Sequence, residues 1–301
     1  MNTKILVSLL VIGLTAIAIG GGMTGAFFSD TETSKGNTFT AGAIDLKVDN
    51  NCSYNGVECK LASDDKYHWN GDVNEDECFC TWNEIDLEDG HLFFNFSDLK
   101  PGDWGEDTIS LHVHNNSAWA CAAIIITKND DVSCTEPENE TVGGENGNCS
   151  EPDANYFDGD LAQNLSFFFW VDKCNDTNQY PNAYPGDNIY QPGCDEFLMA
   201  GPASNIIEEP NHTAVYTLAD NTTNNVGGVD GQPLEGCHTY YIGKAWCFGT
   251  MNVNQSTGVI TCDGASVDNK PQTDEVQGDI IFYAVQARNN PNFNCHSVNW
   301  P

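Results

Sequence analysis

Apolar residues in this chain recur at every second position and nowhere at helical spacing over any length, which restricts the fold to sheets. Asn37–Val48 sets the pattern, with Ile44, Leu46 and Val48 facing one way and Asp45 and Lys47 the other. Thr108–Val113 repeats it, placing Ile109, Leu111 and Val113 inward. Trp119–Thr127 and Leu165–Val171 are nearly continuous apolar runs, as expected of strands buried on both faces. Leu92–Phe96, Phe197–Met199, Ala214–Leu218, Tyr240–Phe248 and Asp279–Ala287 complete the predicted strands, and Pro101-Gly102 marks Asp98–Asp103 as a turn. Short strands between large polar loops predict an all-β fold, an antiparallel β-sandwich and most economically a jelly roll. The 301 residues suffice for one such domain over 37–301, with acidic loop insertions at about 50–89, 130–160 and 172–196.

Lys4, the apolar run Ile5–Ile19 and Gly20-Gly21-Gly22 read as an export signal over residues 1–25. The run is short for a membrane span, which needs about 20 apolar residues, so removal by signal peptidase is expected and an uncleaved anchor is the alternative. No later stretch reads as a span, and the product is expected to be secreted, with no stable membrane anchor. Export means an oxidising compartment, where cysteines pair. The candidates are Cys52, Cys59, Cys78, Cys80, Cys134, Cys149, Cys174, Cys194, Cys237, Cys247, Cys262 and Cys295. Cys134 with Cys149, and Cys174 with Cys194, would each close an acidic loop, and for Cys78-Phe79-Cys80 two disulfides are favoured over a soft-metal site. The count of 13 is odd, and Cys121, embedded in an apolar strand, is the candidate for a buried inert thiol. Asn-x-Ser/Thr acceptor sites for glycans fall at Asn51, Asn95, Asn115, Asn139, Asn148, Asn164, Asn175, Asn211, Asn221 and Asn254. The formal charge is -33, and losing Lys4 with the leader leaves -34. Such a surface repels nucleic acid and anionic membranes.

Two blocks carry a family resemblance. Gly20-Gly-Gly-Met-Thr-Gly-Ala-Phe-Phe-Ser-Asp30 with Asn37-Thr-Phe-Thr-Ala-Gly-Ala-Ile-Asp-Leu46 resembles the start of the TasA/camelysin family. Phe94-Asn-Phe-Ser-Asp-Leu-Lys-Pro-Gly-Asp103, followed by Ile109-Ser-Leu-His-Val-His-Asn-Asn-Ser117, is similar to that family's turn and following strand. The cysteine-bearing middle departs from the pattern. The resemblance implies cleavage between Gly25 and Ala26, and an exported jelly-roll subunit that polymerises with copies of itself into extracellular fibres or a biofilm matrix. The donor strand would be the arm from Ala26, Phe27, Phe28, Ser29, Asp30 and Thr31 to about Gly36, with Phe27 and Phe28 as anchors in a neighbour's groove. A sandwich lacking an edge strand exposes unpaired backbone, and filling it head-to-tail from the next copy builds an open filament. The alternative is an arm folded back onto its own sheet.

Other residues suggest other chemistry. Asp172, Asn175, Asp187 and Glu196 put oxygen ligands around glycine turns, as calcium prefers, so calcium is a possible ligand although no cofactor is required. That would suit a monomeric, calcium-stabilised adhesion module. His112 and His114 share a strand face, but no third metal ligand is identifiable and surface exposure is the expectation. The resemblance also admits a camelysin-like secreted metallopeptidase. The chain has neither His-Glu-x-x-His nor Gly-x-Ser-x-Gly, and no enzyme is expected.

Overall fold

A computed structural model describes residues 29–34, 37–42, 46–87, 91–133 and 156–300. The first sheet contains β1 (Ser29–Ser34), β2 (Asn37–Gly42), β8 (Ala118–Asp130), β11 (Thr213–Ala219) and β15 (Glu275–Gln286), in the order β1-β2-β15-β8-β11. The second contains β3 (Leu46–Tyr54), β4 (Val57–Leu61), β5 (Tyr67–Trp69), β7 (Trp104–Val113), β9 (Leu165–Val171), β10 (Glu196–Pro202) and β12 (His238–Phe248), in the order β10-β9-β12-β7-β3-β4-β5. There β6 (Trp82–Ile85) also pairs with β3. Pairing is antiparallel except between β2 and β15. Two one-turn helices, α1 (Leu161–Asn164) and α2 (Ser204–Ile207), sit beside β9 and β10. Among the described residues no helix is long and apolar enough to cross a membrane.

The alternation explains the layering. Leu46, Val48, Ile109, Leu111, Val113 and Ile242 from the second sheet meet Ala120, Ala122, Ile280, Phe282 and Ala284 from the first in one buried cluster. Side chains of the opposite parity on the second sheet form another cluster, where Phe168, Trp170 and Ala245 pack with Tyr190 beneath the hairpin of β13 (Thr250–Val253) and β14 (Ile260–Asp263). That layer depends on a missing side chain: a Cβ at Gly243 would fall inside the indole of its cross-strand neighbour Trp170.

Four expectations are corrected, the last of them, at Cys237, with the disulfides below. Leu92–Phe96 is irregular rather than a strand, because Phe93 turns fully into the core and Phe94 packs edge-on against Phe167. Asn37–Val48 is not one strand: β2 belongs to the first sheet and β3 to the second, and 43–45 lie outside the described residues. Cys121 is not a free thiol. It is bonded to Cys295 in the C-terminal segment, which crosses the first sheet and also receives the Trp119 indole N–H at the Asn290 carbonyl, 2.7 Å away.

The other described bridges are Cys52–Cys80, Cys59–Cys78, Cys174–Cys194 and Cys247–Cys262. Cys237, a disulfide candidate, is instead free and exposed, in a turn at positive φ. Cys134 and Cys149 lie outside the described residues. The insertion after β3 is therefore a stapled extension of the second sheet, carrying β4, β5 and β6.

Candidate functional site at the N-terminal sheet edge

The chain enters the first sheet from its edge. Among the described strands β1 pairs, antiparallel, with β2 alone, Ser29 opposite Gly42 and Ser34 opposite Asn37. Ser29, Asp30 and Thr31 thus lie opposite Gly42, Ala41 and Thr40 of the same chain, so the described part of the arm is folded back onto its own sheet. Ala26, Phe27 and Phe28, like the leader 1–25, lie outside the described residues.

β2 covers only part of its neighbour. It runs parallel to β15 over Thr38–Ala41, opposite Ile281–Ala284, whereas β8 pairs with β15 from Glu275 to Gln286. On the β2 side, Glu275–Gly278 has no strand partner among the described strands. Beside this edge a groove of about 1170 Å³ opens between the sheets, lined by Phe94, Ile124, Phe167, Phe169, Met199 and Ile280. Asp98, Lys100, Asp268 and Glu275 add polar groups to its lining.

The turn at one end of this groove accounts for the Lys-Pro-Gly-Asp sequence. Gly102 takes φ +96°, and the Asp103 N–H bonds the Lys100 carbonyl at 2.9 Å. The Asp103 carboxylate accepts from the Tyr54 hydroxyl (2.6 Å), Asn55 Nδ2 (2.9 Å) and the Lys100 N–H (2.7 Å), tying the turn to β3. These bonds hold its carboxyl below the usual range despite partial burial, while burial and Asp103 push the Tyr54 phenol up.

The acidic loop after β9 uses its carboxylates on its own backbone. Asp172 is buried and accepts from the N–H groups of Gly186 (3.1 Å) and Asn188 (2.7 Å). Asp195 accepts from the N–H groups of Lys173, Cys174 and Gln191. Burial pushes Asp172 up to about 7, with Asp187 and Asp195 adding repulsion and the two N–H groups opposing it. Of the four calcium candidates, Asp172 and Asp187 are neighbours, Asp187 being held by Gln191 Nε2. Asn175 is exposed, and Glu196 turns to Lys173 Nζ at 2.6 Å. Sequence reasoning missed Asp195; its signal was the cysteine directly before it, which anchors the loop.

His112 and His114 do share a face, and each meets carboxylates. His112 Nε2 lies 2.7 Å from Asp49, and His114 Nε2 lies 2.6 Å from Glu84. Among the described residues the one group of three potential metal-ligand atoms is Cys52, Cys59 and Cys80, all disulfide-bonded. Of the glycan acceptors, Asn51, Asn95, Asn115, Asn175, Asn211 and Asn254 are exposed and Asn164 and Asn221 half-buried. Asn139 and Asn148 lie outside the described residues.

A buried polar trio, Lys244, Asp107 and Asn50, also went unread in the sequence, although a lysine inside the apolar run Tyr240–Phe248 was its signal. Comparison of the chain with protein-family models and with curated proteins gives no match.

Proposed function

We propose that this chain is an exported structural subunit that assembles head-to-tail into an extracellular filament or matrix by donating its N-terminal arm to the next copy. The observation that carries this reading is the edge of β15 at Glu275–Gly278, which lacks a strand partner among the described strands and borders an apolar groove. Unpaired strand edges beside apolar surface are templates for strand addition. The arm is suited to fill one: β1 sits at the end of its sheet and, among the described strands, is bonded to β2 alone. Phe27 and Phe28 of the arriving arm supply the apolar side chains that the groove accepts. Donor and acceptor are different surfaces, so the contact repeats without closing.

The function is association rather than turnover. The strong negative charge keeps secreted subunits soluble until the arm engages. Electron microscopy of the chain beginning at Ala26, beside one beginning at Gly36, tests the reading. Filaments from the longer chain only are expected. Filaments from both would remove the arm from the mechanism, and single particles from both would remove assembly.

A further inference from the structure

Three adjacent strands of the second sheet each send one polar side chain into the core. Lys244 on β12 stands directly opposite Asp107 on β7. Asn50 on β3 sits diagonally across, opposite Ile109. All three are completely buried. Lys244 Nζ lies 2.8 Å from Asp107 Oδ2 and 3.4 Å from the centre of the Phe94 ring. Among the described residues its other polar contact is the Phe93 carbonyl, at 3.4 Å. The same Oδ2 accepts from Asn50 Nδ2 at 3.1 Å, and the Asn50 amide is oriented by a second bond to the Cys80 carbonyl at 2.6 Å. One carboxyl oxygen therefore bridges the lysine amine and the asparagine amide nitrogen.

As a purely structural ion pair this arrangement is poor. Two charges are removed from water, and Asn50 Oδ1 and Asp107 Oδ1 are both buried without a hydrogen-bond partner among the described residues. Burial pushes the Lys244 ammonium down and the Asp107 carboxyl up, against their mutual attraction. Both shifts favour the neutral pair, a free amine beside a carboxylic acid. A proton on Asp107 also supplies a donor where two acceptors lack one.

We propose that Lys244 and Asn50 become joined by an intramolecular isopeptide bond, with Asp107 transferring the protons. Neutral Lys244 Nζ attacks Asn50 Cγ while the Asp107 acid donates to the amide, polarising it. The Nζ–Cγ bond forms, the Cγ–Nδ2 bond breaks, and the amine proton passes through Asp107 to the departing nitrogen. One ammonia leaves, Asp107 is regenerated, and no oxidant or other reactant is consumed. Asn50 rather than Asp107 is the acyl partner: among the described residues, the groups touching Lys244 and Asp107 include no second acid to carry off the oxygen of a carboxyl. The product ties β3 to β12 across β7, a covalent brace through the middle of the larger sheet. This inference rests on the core geometry and not on filament assembly.

The test is mass spectrometry of the full chain made in an oxidising host, reduced and digested. The expected result is a branched peptide joining Lys244 to Asn50, lighter by one ammonia than its two parts, and fragmentation that excludes the neighbouring Asn51. Unmodified peptides for both residues would overturn the proposal, as would a branch to Asp107 formed with loss of water. Asn50→Ala keeps the Lys244–Asp107 pair and is expected to lose the branch completely; an ammonia lost at Lys244 in that variant would overturn the assignment. Asp107→Asn is expected to leave Lys244 and Asn50 unjoined in soluble protein of unchanged circular dichroism. A branch formed at the wild-type level there would overturn the proton-transfer role. The wild-type map decides the bond itself whether or not either variant folds.

Discussion

Cys121, on the interior strand β8, is bonded to Cys295, 174 residues further along the chain. This bond clamps the C-terminal segment over the first sheet, where Tyr283 stacks on Phe293 and meets Trp300 edge-on. Cross-links that close long loops restrict the unfolded chain most, and losing one costs about 2–5 kcal/mol. Cys121→Ala with Cys295→Ala is expected to lower the free energy of unfolding by that amount, moving the urea midpoint to lower concentration. Urea titration followed by tryptophan fluorescence reads it.

Thiol chemistry separates Cys121 from Cys237. Alkylation of the native, unreduced chain is expected to label Cys237, which is exposed and unpaired, and to leave Cys121 untouched. Peptide mapping of the alkylated chain checks both sites.

Gly243 is a steric requirement of the layer beneath β13 and β14. A Cβ there would occupy the space of the Trp170 ring, and Trp170 is wholly buried. Gly243→Ala is expected to cost about 1–3 kcal/mol, the range for overpacking a close-fitted core. The near-ultraviolet circular dichroism of the tryptophans is expected to change with it.

Burial pushes Glu106 up to about 7, from an ordinary 4.5. Asp172 behaves alike, rising from 3.8 to about 7. Between those limits the folded chain holds protons that the unfolded chain has released, so both groups make stability fall as pH rises. Below the ordinary values both states are protonated and the cost disappears. Glu106→Gln is expected to raise stability at pH 8 relative to pH 4 by on the order of 2 kcal/mol. Denaturant titrations at the two pH values measure it.

The sandwich was legible because apolar and polar residue types alternate along strands such as Thr108–Val113, even though Thr108 and Ser110 are buried too. Cys174–Cys194 was legible because both cysteines bracket one acidic loop. Cys121–Cys295 was not: local pattern carries no information about a partner so distant, and the apolar neighbours of Cys121 suggested an inert thiol. Leu92–Phe96 misled for a related reason, since a run of aromatics reads as a strand whether it joins a ladder or plugs a core. The groove depends on where β2 stops along β15, a register that no single segment encodes.

The exchange of backbone amides at Glu275–Gly278 for deuterium, compared between filament and isolated subunit, tests donor-strand assembly most directly. Assembly by arm donation predicts that amides on the β2 side of this edge become slowly exchanging in the filament, alongside protection of the arm itself. Filaments in which this edge exchanges as fast as in the isolated chain would contradict the account.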